Sequence, residues 1–332
     1  MQVFDVRGMP QILGRSFGKG GEAEIYLLEA KSDVLVKIYH PDVMLKRGGF
    51  LKNKVENMIK IKEKFSKKNE IIWPAINIYD RSKNWIGYAM KKADGKEMAL
   101  LAHSIAYKNH FPNLDRKNLL SYLISLLESI EILHKENIYI GDYNLKNIMC
   151  NPNNIGQVSL IDCDSYQVKS SDSGEIFLCP VGSPDMTPPE HQNKDFLSVR
   201  RTPQSEYFSI AIILFKCLMM GRHPYDSVDG GDPVKNIVQG KFPYGKGNEG
   251  IPKGSWYNIW SHMSYRIKNS FIQTFTEGAN NPDKRVSLLA WKEELILYKK
   301  EIEKGWHDVN IRPASPKIAA RRGQNLPSNI IS

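Results

Sequence analysis

Three polar residues at defined spacing carry the chemistry this chain could do. Asp142 and Asn147 lie in Gly141-Asp142-Tyr143-Asn144-Leu145-Lys146-Asn147, and Asp162 lies in Leu160-Ile161-Asp162-Cys163-Asp164. An acid, an amide a few residues on and a second acid after an apolar run can place a base and metal ligands around the phosphates of ATP. Asp142 would accept or orient the proton of an acceptor hydroxyl, and Asn147 would take a metal through its amide oxygen. Asp162 ends the short apolar strand Val158-Ser159-Leu160-Ile161, which would hold its carboxylate rigidly for Mg²⁺. Asp164 reaches the same metal if the chain turns there, and the opposite side if the strand continues. An Asx-rich turn is the alternative reading of Asp142 and Asn147.

Lys37 is the next residue of interest, because it interrupts the apolar run Val34 to Tyr39. A buried ammonium is costly without a partner or ligand, whereas a lysine at a strand edge reaches solvent along its stem. Glu56, downstream in a helical stretch, is the expected ion-pair partner, with Glu63 as the fallback. Upstream, Gly18-Lys19-Gly20-Gly21-Glu22-Ala23 precedes a strand, so backbone amides could approach phosphate oxygens without a Cβ in the way. Ala23 stands where a third glycine would complete the pattern. These glycines lead into a strand rather than a helix, which argues against a dinucleotide-binding fingerprint, and no Gly-Lys-Ser/Thr is present.

The elements that must position these residues follow from periodicity. Ile25 to Leu28 and Val34 to Tyr39 read as strands, as do Ile76 to Tyr79 and Trp85 to Met90. Leu51, Val55, Met58, Ile59 and Ile61 keep a helical period between the two pairs. Leu119 to Leu133 carries a wide apolar stripe, and Tyr207 to Met220, apolar almost all round and ended by Gly221, reads as the buried axis of a helical region. The last helix is expected over Leu288 to Lys304, and Gly305 to Ser332 as a tail or docking segment. The division expected is 1–90, 91–304 and 305–332.

With 332 residues, 41% of them hydrophobic, the chain can build real cores. No run of eighteen apolar residues and no signal-peptide pattern occurs, so a cytoplasmic protein without a membrane span is expected. The four cysteines show no Cys-x-x-Cys pairing and read as buried thiols. The net charge of +10 is partly local, with nine Lys or Arg from Lys46 to Lys68 against Glu56 and Glu63. That run reads as a solvated helix face; nucleic-acid binding ranks low, because no recognised motif accompanies it.

Over about residues 10 to 304 the chain resembles the protein kinase superfamily, in particular the eukaryotic-like Ser/Thr kinases of bacteria. The resemblance implies an α+β, bilobal fold, with a small β-rich N-lobe holding one main helix and a larger, mostly helical C-lobe. It makes Gly18, Gly20 and Ala23 the glycine-rich lid, Lys37 the third-strand lysine and Glu56 its helix partner. Asp142 becomes the catalytic aspartate, with Asn147 and Asp162 as metal ligands. Met90 would sit behind the adenine, and Lys91 to Ala93 would form the hinge. Gly182-Ser183-Pro184-Asp185-Met186-Thr187-Pro188-Pro189-Glu190 resembles the close of an activation segment, and Arg285 the arginine that pairs with its glutamate. Glu206 takes the place of the aspartate opening the buried helix, and Gly221 to Tyr225 resembles the turn after it. The implied cofactors are ATP and Mg²⁺ or Mn²⁺. The implied partner is an unknown protein substrate, with autophosphorylation at Ser170, Ser171, Ser173 or Thr187. Ser183 is the poorest such candidate, since its hydroxyl would bridge to the catalytic loop.

The departures are specific. Ile140 and Gly141 replace the His-Arg before the catalytic aspartate, which implies activity independent of phosphorylation on the segment. Asn144 replaces the catalytic-loop lysine, and Lys146 is the candidate cation for the γ-phosphate instead. Asp164 replaces the glycine of Asp-Phe-Gly. Two other readings compete: a small-molecule phosphotransferase resembling the aminoglycoside and choline kinases, and a pseudokinase scaffold without turnover. Gly182 to Glu190 and Arg285 favour a protein acceptor.

Overall fold

The computed structural model describes residues 1–65, 71–245, 250–252 and 255–317. In its first part, six strands pair in the order β1-β2-β3-β4-β6-β5 and close into an antiparallel barrel. They are β1 (Gln2–Phe4), β2 (Pro10–Lys19), β3 (Ala23–Leu28), β4 (Lys31–Tyr39), β5 (Ile76–Tyr79) and β6 (Trp85–Lys91). This corrects the fold class expected from the resemblance: the α+β content stands, but the β-rich part is a closed barrel rather than the open small lobe of a bilobal kinase-like fold.

The cause is β1, a strand too short to leave a periodic signal. It pairs with β2 through Val3↔Gln11 and with β5 through Phe4↔Tyr79, so it joins two edges that would otherwise be open. Register shifts in β2 between Leu13 and Ser16, and again before Gly18, supply bending at which such a sheet can curl. Val3, Leu13, Val36, Ile78 and Ala89 form the small cluster enclosed by these strands. Side chains alternate across a strand, so Leu35, Lys37 and Tyr39 project from the opposite face of β4 to Val36. There Leu35, Tyr39, Tyr88 and Met90 pack with Val43, Leu51 and Val55 of helix α1 (Pro41–Lys60).

The rest of the chain is mainly helical around one large core, built on α2 (Arg116–Lys135), α3 (Pro203–Leu218), α4 (Tyr265–Phe275) and α5 (Leu288–Glu303). Asp115 caps α2 by accepting from Asn118 N, and Thr202 with Ser205 forms a capping box on α3. The apolar run on α3 is buried nearly all round, including Phe208, Ile212 and Phe215, as its composition predicts. A small sheet of β7 (Lys96–Glu97), β8 (Ile148–Cys150) and β9 (Val158–Leu160) underlies the site, and the hairpin β10 (Val168–Lys169) with β11 (Ile176–Phe177) lies beyond it.

After Gly305 the described chain folds back: Arg116 N donates to Val309 O, Asn258 Nδ2 to Ala314 O, and Ile311 is buried. The remainder of the expected tail, 318–332, and Lys67 and Lys68 of the basic run lie outside the described residues. All four cysteines are buried and free. Among the described residues no helix is long and apolar enough to cross a membrane.

Candidate active site

The loop carrying Asp142 hangs from one buried carboxylate. Glu206, in the first turn of α3, accepts from Gly141 N at 2.7 Å, Ile140 N at 3.2 Å and the Tyr143 hydroxyl at 2.8 Å. His134 Nε2, near the end of α2, lies 2.9 Å from the same carboxylate. Gly141 adopts φ +72°, a left-handed conformation natural to glycine, and a Cβ there would meet Cys179 Sγ at 2.8 Å. The loop is thereby aimed so that Asp142 Oδ1 accepts from the Ser183 hydroxyl at 2.9 Å. Glu190, farther along that segment, receives a two-pronged bond from Arg285, Nη1 to Oε1 and Nη2 to Oε2, both 2.7 Å. The Arg285 guanidinium is fully buried and stacks over Phe208, so the pair is tied into the core.

Asn147 and Asp162 come together through the β8–β9 ladder. Ile148 pairs with Leu160, and Ile161 N donates to Asn147 O at 3.0 Å, which sets Asn147 beside the Ile161-Asp162 step. Asp162 itself is left-handed at φ 62° and opens the 3₁₀ turn Cys163–Ser165. That turn buries the Asp164 side chain, which is 5% exposed.

Here the ion pairs differ from those expected. Lys37 Nζ donates to Asp162 Oδ1 at 2.5 Å and to Asp164 Oδ1 and Oδ2 at 2.8 and 2.9 Å. Asp164 also accepts from the Tyr39 hydroxyl at 2.5 Å and the Tyr88 hydroxyl at 2.7 Å. Burial opposes ionisation of Asp164, but Lys37 and these hydrogen bonds outweigh it and hold the carboxyl well below the usual range. Asp162 is the softer acid, pushed upward by burial and by Asp164 against the pull of Lys37. Its side chain remains 42% exposed, against 5% for Asp164. Asp164, offered from sequence as a metal ligand, is therefore occupied as the counter-ion of Lys37, while Asp162 still faces the pocket.

Glu56 does not pair with Lys37. It lies on the outer face of α1, 3.9 Å from Lys52 one turn earlier and 38% exposed. Glu56→Ala is accordingly expected to shift the folding free energy by less than about 0.5 kcal/mol and to leave the response of the melting temperature to ATP as in the wild type. Thermal melts with and without ATP check this; loss of the nucleotide shift would restore Glu56 to the site.

A pocket of about 280 Å³ is lined by Gly20, Gly21, Glu22, Ala23, Ile25, Lys37, Arg47, Lys54, Asp142, Asp162 and Asp164 among others, whereas Gly18, Met90, Lys91, Ala93, Lys146 and Asn147 are not part of its lining. Gly20 N donates to Ala23 O, closing the turn between β2 and β3, while Gly18 pairs with Ile25 just outside the lining. No side chain approaches the Cβ positions of Gly18 and Gly21, so the turn is open above the pocket. Met90 is buried with Ala23 and Tyr88, and Ala93, Ile25 and Ile161 pack on the same cluster, an apolar surface beside the polar end. Lys91 ends β6 opposite Val34, and Lys146 is exposed beside Asn147.

Sequence reasoning missed Lys54, Tyr39 and Tyr88. Lys54 is only 1% exposed and lines the pocket, with Nζ donating to Ser165 O at 3.1 Å and Leu178 O at 3.5 Å. Its signal was available: it shares the helical face of Leu51, Val55 and Met58. One turn on, Asn57 donates to Lys169 O and accepts from Ser171 N, so α1 grips both the 162–165 turn and the following hairpin.

A glycine turn, a buried lysine and converging acids thus meet where the β-barrel joins the helical body. No protein-family model matches the chain. It is 29% identical over 317 residues to Protein kinase YegI of Escherichia coli (strain K12), covering 92% of this chain and 47% of that protein. It is likewise 29% identical over 304 residues to Protein kinase YegI of Escherichia coli O157:H7, covering 88% of this chain and 45% of that one. These relatives support a protein kinase-like superfamily for the chain, which spans about half the length of the curated relatives it matches.

Proposed function

We propose that this chain is an ATP-dependent protein kinase that transfers the γ-phosphate to Ser or Thr hydroxyls. The observation that carries the reading is the convergence of Lys37, Asp142 and Asp162 on one pocket roofed by the Gly20–Ala23 turn, with Asn147 held beside Asp162. In this reading Lys37 positions phosphate oxygens and Asp142 orients the attacking hydroxyl, so that catalysis is mainly positioning and charge stabilisation.

The donor set fits Mg²⁺ or Mn²⁺ held largely by the nucleotide. Among the described residues no group of three or more His, Cys, Asp or Glu could cage a metal, and Mg²⁺ is commonly bound through one or two carboxylates plus substrate phosphates. Asn147 and Asp162 would hold it, and the ion when bound neutralises phosphate charge. Lys146 is the proposed cation nearest the transferred group.

Gly182 to Glu190, locked by Arg285, supports a protein acceptor over a small molecule. Arg201 Nη2 donates to Val181 O and braces the same segment, which supports activity without a phosphate there. Autophosphorylation is proposed for the Ser170–Ser173 turn, and the cytosol as the compartment. A nucleotide-binding scaffold without turnover is the second reading, favoured by the direct Lys37–Asp162 contact, which phosphate oxygens must open.

Incubation with γ-labelled ATP, Mg²⁺ or Mn²⁺ and a generic protein acceptor tests this. Label on Ser or Thr is the expected result. ATP-dependent thermal stabilisation without label would leave only the scaffold, and label confined to a small-molecule acceptor would overturn the protein-kinase reading.

A further inference from the structure

Among the cations that line the pocket, Lys37 is compensated by Asp162 and Asp164, and Arg47 by Glu22. Lys54 is the exception. It is as buried as a core leucine, yet its ammonium meets only the carbonyl oxygens of Ser165 and Leu178, and no carboxylate pairs with it among the described residues. Two carbonyl dipoles satisfy two of its three N–H donors and leave the charge unmatched. A charge in that position is retained at a cost unless an anion reaches it.

The groups facing Lys54 do not supply one. Asp164 is already bound by Lys37, Tyr39 and Tyr88, and Cys179 is buried with its thiol donating to Val181 O. Lys37 and Arg47 are further cations. Asp142 and Asp162 line the same pocket, with Asp142 engaged by Ser183 and Asp162 by Lys37. Burial, reinforced by Arg47 and Lys37 against Cys179 and Asp164, lowers the Lys54 ammonium to about 8. At neutral pH it is still mostly charged.

We propose that Lys54 is a second phosphate-binding cation of this pocket, which takes a terminal phosphate oxygen of a bound nucleoside triphosphate from the α1 side. The proposal rests on the nucleotide-binding reading and deepens it. It gives α1 a direct role in ligand binding through a cation, at the helix where an acid facing Lys37 was expected. It also makes triphosphate binding sensitive to the 162–165 turn, because Ser165 O holds the same ammonium.

The test is isothermal titration of the purified chain with Mg²⁺ and a non-hydrolysable ATP analogue, and separately with adenosine, at pH 8 in two buffers of different ionisation enthalpy. An approaching phosphate raises the Lys54 pKa, so the wild type is expected to take up a fraction of a proton as the analogue binds. Lys54→Met should abolish that uptake and weaken the analogue by about ten- to a hundredfold, the range of one charge-assisted hydrogen bond. Adenosine affinity should be unchanged. Lys54→Arg should keep most of the triphosphate affinity. Equal analogue affinity and equal proton uptake in Lys54→Met would overturn the proposal. So would a variant that only melts earlier while keeping the wild-type preference for triphosphate over adenosine. Should Lys54→Met fail to fold, Lys54→Gln takes its place, and wild-type analogue affinity in that variant overturns it. A wild type that binds neither ligand removes the nucleotide reading itself, and the proposal with it.

Discussion

Asp164→Ala is expected to destabilise the protein by about 3–5 kcal/mol, the range for removing one partner of a buried ion pair. The carboxylate is a hub: Lys37 meets both of its oxygens, and the Tyr39 and Tyr88 hydroxyls each donate to one. Without it, two tyrosine hydroxyls and most of the Lys37 ammonium lose their partner inside a low-dielectric wall, and only the half-exposed Asp162 remains. Chemical denaturation of the variant against wild type measures the loss. The double variant Lys37→Met/Asp164→Leu should recover much of it, since replacing both partners removes the unpaired charge. The acid limb gives an independent readout. Because the folded pKa of Asp164 is depressed, its stabilisation is fully present above its ordinary value of 3.8 and is lost as pH falls from there toward the depressed value. Asp164→Ala should therefore flatten the stability profile below about pH 4. A loss under about 1 kcal/mol would mean that the hub carries little energy.

The sequence was most legible where function and fold depend on short segments. Asp142, Asn147 and Asp162 could be picked out because loop, ladder and strand end are adjacent in the chain, and the register Ile148↔Leu160 joins them. The contacts of Ser183 with Asp142 and of Arg285 with Glu190 are long-range, yet both are implied by the resemblance to the kinase superfamily. Barrel closure was not legible. It depends on a three-residue strand that pairs at both edges, and three residues carry no measurable period.

The partner of Lys37 was misjudged for a different reason. The acid was sought on the helix, but the face of α1 that buries Leu51, Val55 and Met58 turns Lys54 inward and leaves Glu56 on the outer side. The acid comes instead from Asp164, through a left-handed residue and a 3₁₀ turn that strand alternation could not foresee. Tyr39 and Tyr88 lie in segments read only as strands, although a buried hydroxyl requires a partner of its own.

Asp142→Asn is expected to lower phosphate transfer by about 10²–10⁴-fold, the usual contribution of a positioned acid–base group, while leaving the fold nearly as stable as wild type. The separation of the two effects follows from the local geometry. Asp142 is only partly buried, among the described residues its side chain accepts one bond, from Ser183, and an asparagine oxygen can still accept it. The loop's anchorage lies elsewhere, in the bonds from Ile140 N, Gly141 N and Tyr143 to Glu206. In the proposed mechanism asparagine cannot carry the charge that orients and receives the acceptor proton, so kcat should fall with little change in the KM for ATP. Asp162→Ala makes the informative comparison. It removes a proposed metal ligand and one counter-ion of Lys37, so both kcat and apparent metal affinity should suffer. If Asp142→Asn transferred label at the wild-type rate while Asp162→Ala did not, the nucleotide-binding proposal would survive. The hydroxyl-orienting role would then belong to another residue of the pocket.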